Sequence, residues 1–425
     1  MTDLIGLLNG AGLDGWRVSR TATESYELFF VHKKLETVRA TDTVTTQVTV
    51  YVDHDGKRGD STFAVYASMT EKDLKDRIRS AAGRARLVFN EPYQLPEGGT
   101  LDVQLPTDMD KADMKVLGRQ AADAVFAADT VEGGSINACE IFLYRDTLWV
   151  QNSRGVDKKQ RLCRVMIEAI PTYTSEKESV ELYEDYRFTS FDPQKVTSEI
   201  ARRMREVRDR SLAVKPHTPM TVNVLLRPHE IRRLLCCLAD DAGYASVYSH
   251  ANLHKLGDDL QQDCDGDRLT FGLKGILSGC EQSTYFDADG AALHDVCILK
   301  NGVAESYYGS TRYGQYLGIK EPSGELPRCV SAERGTLTEQ EIAAAPYLEC
   351  ASLSGLQVDL YSDYIGGEIR LAYYWDGQKR IPVTGIAMSA RLSEVLRHLR
   401  LSQTLCLEGA YEGPDRLMMK DVAVL

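Results

Sequence analysis

The chain lacks the features that mark several large protein classes. No run of about 18 apolar residues occurs in its 425 positions, which argues against a membrane-spanning helix. The opening Met1-Thr2-Asp3-Leu4-Ile5 lacks the basic, then apolar, then small-residue order of a secretory signal, so the expected compartment is the cytoplasm. No C-x-x-C occurs, which argues against a structural zinc knuckle. The ten cysteines are scattered almost singly, as expected of reduced and mostly buried thiols. The one adjacent pair, Cys236-Cys237, points about 100° apart on a helix and is poorly placed to ligate one metal. G-x-S-x-G, the P-loop and G-x-G-x-x-G are missing too, and Gly355 and the glycine pairs at 98–99, 133–134 and 366–367 read as turns. Positive charge is in deficit: 50 Lys and Arg stand against 62 Asp and Glu, a net charge of −12 that argues against a general nucleic-acid surface. The densest basic run, Arg202 to Arg210, reads as the solvated face of a helix.

What remains is an ordinary globular balance, 43% hydrophobic and 26% charged, on a chain long enough for more than one core. A short helix at 4–8 precedes strands at 25–31, 37–40 and 44–52, and Asp53-His54-Asp55-Gly56 reads as a turn. Thr70-Glu71-Lys72-Asp73 begins a helix with Leu74, Ile78, Ala81, Ala82 and Ala85 on one face, ending at Asn90-Glu91-Pro92. A helix over 108–128 follows, then strands at 136–144 and 147–151 joined by a turn at Arg145-Asp146. Residues 160–173 and 179–191 form a long hairpin turning at Thr174-Ser175-Glu176-Lys177. Asp192-Pro193 starts a third long helix that runs to about Ser211. The stretch 213–219, with Pro216 and Pro219, blocks both helix and central strand, so the expected domains are 1–212 and 213–425. The second half is richer in strands (292–301, 303–306, 357–361, 368–375 and 379–383), with one clear helix at 390–399. Both halves mix strands and helices, and the expected fold class is α+β with two domains.

Thr221–Asp241, TVNVLLRPHEIRRLLCCLADD, carries the functional question. Val222, Val224 and Leu226 suit a mostly buried strand, Pro228 opens a helix, and Ile231, Leu234, Leu235 and Leu238 recur at helical spacing. This unit resembles the middle of the TldD/PmbA family of peptidases. The resemblance extends along the chain: Glu27–Glu36 with Val48–Gly59, Lys72–Pro92, Asn152-Ser153-Arg154-Gly155 and Lys255-Leu256-Gly257 are similar to family elements. So are Tyr285-Phe286-Asp287-Ala288-Asp289-Gly290, with Asp289 in place of a glutamate, Leu299–Val303, Tyr364–Ile369 and Gly377–Thr384. The resemblance implies two α+β domains, dimers, and a cavity in which a zinc-bearing TldD subunit cuts unfolded peptides beside a non-catalytic PmbA (TldE) subunit. Family members are also described as modulators of DNA gyrase, but nothing in this acidic sequence reads as a gyrase- or nucleic-acid-binding device.

In the catalytic branch the helix bears H-E-x-x-x-H. Counting on from Pro228, that motif aligns with Cys236-Cys237-Leu238-Ala239-Asp240-Asp241, where both histidines and the glutamate are absent. Zinc hydrolysis needs three protein ligands, an open position and a carboxylate base. His229-Glu230 looks like half of H-E-x-x-H, yet Arg233 and Leu234 occupy the positions of a second histidine. His250 and His254 stand at i, i+4 and share a face if 251–255 is helical. Cys406 lies near a further family ligand position and reads as a core residue, and Cys236 and Cys237 read as buried thiols rather than nucleophiles.

The expectation is therefore a PmbA/TldE-like subunit with no catalytic or metal-binding residues and no cofactor. It would enclose unfolded peptides beside a TldD-like zinc-bearing paralogue, or pair with itself as a homodimer. One alternative is an active metallopeptidase whose zinc is held by His229, Glu230, His250 and His254. The other is a stand-alone homodimeric peptide-binding protein whose cavity is lined by Tyr307, Tyr308, Tyr313, Tyr316, Tyr373, Tyr374 and Trp375, residues that read first as sheet packing.

Overall fold

The computed structural model describes residues 3–176 and 178–425. Met1 and Thr2 of the opening segment, and Lys177 of the expected turn at 174–177, lie outside the described residues.

The first part of the chain runs α1 (Leu4–Asn9), β1 (Gly15–Val31), β2 (Lys34–His54), β3 (Lys57–Val65), α2 (Glu71–Ala85), β4 (Thr100–Gln104), α3 (Met114–Ala127), β5 (Gly134–Asn152), β6 (Asp157–Thr174), β7 (Ser179–Glu181), β8 (Glu184–Phe188) and α4 (Pro193–Leu212). These strands form one sheet of order β3-β2-β1-β5-β6-β4, with β7 and β8 both paired to β6. The expected hairpin of 160–191 is thus present, its return arm broken into two short strands. α2 begins with a capping box, in which the Thr70 hydroxyl accepts from the Asp73 N–H and the Asp73 carboxylate accepts from the Thr70 N–H. Its buried face is Leu74, Ile78, Ala81, Ala82 and Ala85, the predicted set. Gly59 of β3 passes beneath the end of this helix, where a Cβ would fall 1.8 Å from the Ala85 carbonyl oxygen, so only glycine fits. α3 and α4 cover β5 and β6, and Leu117, Ala121, Val125, Ile200 and Met204 pack on Ile141, Leu143, Val165 and Ile167.

Two expectations fail here, each for its own reason. Residues 134–152 form a single strand with no turn at Arg145-Asp146, because the charges that suggested a turn are paired across the sheet. The Asp146 carboxylate accepts from Thr23 Oγ1 at 2.6 Å and Arg164 Nε at 2.8 Å. The helix expected from 108 starts at Met114, since Asp113 is its N-cap and accepts from the Lys115 and Val116 N–H groups.

The second part runs β9 (Met220–Leu226), α5 (Pro228–Asp241), α6 (Tyr244–Tyr248), β10 (Phe271–Lys274), β11 (Val296–Lys300), β12 (Val303–Ala304), α7 (Thr311–Tyr316), β13 (Cys329–Ala332), α8 (Glu339–Ala343), β14 (Tyr347–Leu353) and β15 (Gln357–Asp359). It continues with β16 (Tyr364–Trp375), β17 (Arg380–Val383), β18 (Ile386–Arg391), α9 (Leu392–His398), β19 (Arg400–Leu401), β20 (Leu405–Glu408), β21 (Tyr411–Pro414) and β22 (Leu417–Val424). One sheet has the order β12-β11-β10-β13-β21-β20, the other β14-β9-β22-β18-β16-β15. β9 lies between two neighbours, parallel to β14 and antiparallel to β22, which explains its nearly unbroken apolar run. The apolar face of α5 (Ile231, Leu234, Leu235, Leu238) enters one core shared with Phe271 and Val330 of the first sheet and Val224 and Ile369 of the second. The fold is α+β in two domains, as expected.

Candidate functional site

α5 starts behind Arg227, which offers no side-chain cap, with Pro228 in its first turn. His229 projects outward, its side chain 79% exposed, with Nδ1 3.3 Å from Glu230 Oε1. The hydrogen bond to Glu230 raises its pKa above the ordinary histidine value. One turn on, Arg233 donates to the Leu356 carbonyl and Leu234 is buried. Burial pushes the half-buried Cys236 and Cys237 thiols above their ordinary range, away from nucleophilic thiolates.

Asp241 has a different role. Its carboxylate accepts from the Leu253 N–H at 2.6 Å, the His254 N–H at 3.0 Å and His254 Nδ1 at 2.9 Å. Burial opposes its ionisation, but these three bonds outweigh it and hold the pKa low. Asp241 thus ties down the loop after α6. The helical premise for His250 and His254 does not hold: both lie in irregular chain, and His250 is exposed with φ of 57°. His250 stands apart, whereas His254 joins Asp241, so residues from two separate candidate sets meet in one contact. Cys406 sits on β20, and burial pushes its thiol to about 12. Among the described residues no three His, Cys, Asp or Glu side chains gather so as to hold a metal ion. The residues present do not fit the zinc that the aligned motif would bind. Asp241→Ala removes three bonds to a loop, and a loss of about 2 kcal/mol in urea denaturation is expected.

A buried ionic network stands where α4 meets the start of α5. Glu206, 3% exposed, accepts from Arg202 at 3.0 Å, Arg203 at 2.9 Å and Arg227 at 2.7 Å. Arg227 also reaches Glu349 of β14 at 3.0 Å, and Arg380 reaches the same carboxylate at 2.7 Å. Burial alone would raise the Glu206 pKa, but the three guanidiniums bring it down to about 2. The expectation of a solvated basic face on α4 therefore fails in part: Arg205 is exposed, but Arg203 is only 6% exposed.

Sequence reasoning missed a groove of about 610 Å³ lined by Ser331, Ala332, Glu333, Arg334, Leu405, Cys406, Leu407 and Glu412. β20 ends the order of its sheet and, among the described residues, pairs with β21 alone, which leaves its far edge without a strand partner. Leu405 and Leu407 remain 49% and 43% exposed. The alternation Leu405-Cys406-Leu407-Glu408 is the available signal, but in sequence it reads as a strand with its leucines turned inward. Nearby, Glu412 accepts from Lys274 Nζ at 2.8 Å and Ser331 Oγ at 3.0 Å.

The aromatic residues do not converge on one cavity. Tyr308 and Tyr373 are buried, and Tyr373 donates to Asp209 at 2.9 Å. Tyr313 and Tyr316 instead cluster with Tyr248, and Tyr316 also stands edge-on to Tyr93 at 6.1 Å, joining the two parts of the chain.

Among the described residues no helix is long and apolar enough to cross a membrane. No curated protein matches the chain. Among solved structures, TldE from Thermococcus kodakarensis superposes with a TM-score of 0.82 at 13% identity, over 99% of each chain. A protein from Bacteroides thetaiotaomicron described as a candidate modulator of DNA gyrase gives 0.82 at 15% identity, over 99% of this chain and 97% of that one. One from Thermotoga maritima with a similar description gives 0.78 at 14% identity, over 99% and 98%. These likenesses carry the fold. Residues 219–424 match the model of the PmbA/TldA metallopeptidase C-terminal domain, and that part of the chain belongs to the TldD/PmbA family.

Proposed function

We propose that the chain is a non-catalytic, PmbA/TldE-like subunit that holds unfolded peptides in extended form for cleavage by a zinc-bearing TldD-like partner. The observation that carries this reading is the groove beside β20. An unpaired strand edge offers backbone hydrogen bonds to any extended polypeptide, and the half-exposed Leu405 and Leu407 offer it apolar contact without strict sequence selection. The α5 helix supports the non-catalytic part: Asp241 is engaged by its loop, His229 is exposed with Arg233 and Leu234 one turn on, and burial pushes the two thiols up.

Co-expression with an H-E-x-x-x-H paralogue from the same genome tests the reading. The expected result by native mass spectrometry is a heterodimer, with one zinc per complex that leaves when the paralogue's histidines are replaced. Chelator-sensitive peptide cleavage by the chain alone, purified without a polyhistidine tag, would rule out the non-catalytic assignment. A stable homodimer that ignores the paralogue would favour a stand-alone peptide-binding protein.

A further inference from the structure

Two thiols outside the groove and outside the metal register of α5 face each other at close range. The sulfurs of Cys280 and Cys329 are 3.1 Å apart, and both thiols are free. Cys280 lies in the loop after β10, and Cys329 opens β13, where it pairs with Lys274 of β10. The two residues are 2% and 0% exposed, packed with Leu277 and Ala410. A disulfide needs a sulfur separation of about 2 Å, so about 1 Å of side-chain motion closes the gap.

The two sulfurs are not equivalent. Cys280 Sγ accepts from the Gln282 N–H at 3.3 Å. The hydrogen bond between the two sulfurs is the largest influence lowering the Cys280 pKa, and the Gln282 N–H and the nearby Arg232 add to it. The same contact, with burial, holds Cys329 above its ordinary range. The backbone N–H bonded to Cys280 Sγ favours a thiolate there, which makes Cys280 the attacking and Cys329 the resolving cysteine.

We propose that Cys280 and Cys329 form a reversible disulfide when the chain meets a small hydroperoxide. The Cys280 thiolate attacks one peroxide oxygen, the O–O bond breaks, and the other oxygen leaves as hydroxide and takes up the proton shed by the thiol. Cys280 is then a sulfenic acid. The Cys329 sulfur attacks it, the S–O bond breaks, and a second water leaves with the Cys329 proton. Two thiols lose two electrons in all, and hydrogen peroxide gains them as it becomes two waters. Burial favours a small oxidant, since glutathione disulfide is too bulky to reach sulfurs that are this enclosed.

The bond would fasten a loop that touches much of the molecule. From that loop Gln282 accepts from Arg232 of α5, Glu281 pairs with Arg187 of β8, and Thr284 accepts from Gln160 of β6. Beside Cys329, Arg328 donates to the Cys236 carbonyl at 3.3 Å and pairs with Asp240, both on α5. Oxidation would therefore lock the junction of the two domains around α5. The cross-link joins positions 49 residues apart, and it should raise Tm by about 5 °C.

The test treats the full-length chain with hydrogen peroxide under native conditions, alkylates residual thiols, digests without reductant and maps peptides by mass. The expected product is one cross-linked peptide pair containing Cys280 and Cys329, 2 Da lighter than the two thiol peptides together and released by dithiothreitol. The rise in Tm should be absent in Cys280→Ser and in Cys329→Ser. Recovery of both cysteines as alkylated thiols at a peroxide dose that oxidises the methionines would overturn the proposal, as would a dominant cross-link from either one to another cysteine. This mass measurement on the wild-type chain does not depend on either variant folding.

Discussion

Replacing Arg227 with alanine is expected to destabilise the protein by about 3 kcal/mol, with a matching drop in the urea midpoint at neutral pH. Arg227 is the one guanidinium that bridges Glu206 of α4 to Glu349 of β14, at 2.7 and 3.0 Å. Without it two buried carboxylates each lose a partner, and the ionic link between Glu206 and Glu349 is broken. Lysine is expected to recover only part of the loss, because an ammonium cannot reach both carboxylates in a fork. The pH dependence follows from the depressed pKa of Glu206, from an ordinary 4.5 to about 2. A group with a lowered folded pKa stabilises fully above its unfolded pKa and loses that contribution as pH falls through the folded value. About 3 kcal/mol should therefore disappear between pH 4.5 and 2 in the wild type. In Arg227→Ala the window should end at a higher pH and the loss across it should be smaller, because the burial that raises the carboxylate pKa is less opposed. A flat stability profile across this range, or a loss under about 1 kcal/mol for the variant, would show that the network is a bystander.

The second large effect concerns binding. Leu405→Asp combined with Leu407→Asp should weaken binding of an unstructured, leucine-containing peptide at least tenfold, read by fluorescence anisotropy, and leave the urea midpoint within error. Both side chains are about half exposed, so the folded state gives up little when they change. In a bound complex each would bury its remaining apolar surface, and two such contacts are together worth about 1.4 kcal/mol or more, a factor of ten in affinity. Unchanged affinity would remove the β20 groove from the peptide path. A fall in the urea midpoint would instead mean that the leucines support the sheet.

The features legible in the sequence were those with a local cause. The inner face of α2, the apolar stripe of α5 and the start of α4 at Asp192-Pro193 were readable from spacing and caps, which act within a few residues. What escaped is set by partners far along the chain. Arg145 and Asp146 resemble a turn until Thr23 and Arg164 stand beside them, and Arg203 resembles a surface charge until Glu206 and the Ala351 carbonyl enclose it. The four-residue strands β10, β13 and β21 carry too few residues to show a period and exist because of one another. Near the candidate site, the identities of Cys236, Cys237 and Asp241 argued against zinc chemistry. The bond between Asp241 and His254, 13 positions on, depends on a loop path that no local pattern announces. The β20 groove was missed because exposure of Leu405 and Leu407 depends on which strand ends the sheet.

The pairing of β9 with β22 bears on how the chain acquires this structure. Met220 sits opposite Val424, and the two strands lie side by side in the middle of their sheet. During synthesis β9 and α5 emerge long before that neighbour, so the apolar faces of Val222, Val224 and Leu234 must wait for residues about 200 positions downstream. Contacts of such separation form slowly, and the unpaired strand and oily helix left meanwhile are the parts most prone to wrong association. The first sheet, built largely from adjacent hairpins, has no such delay and can serve as a finished platform on which the later half condenses.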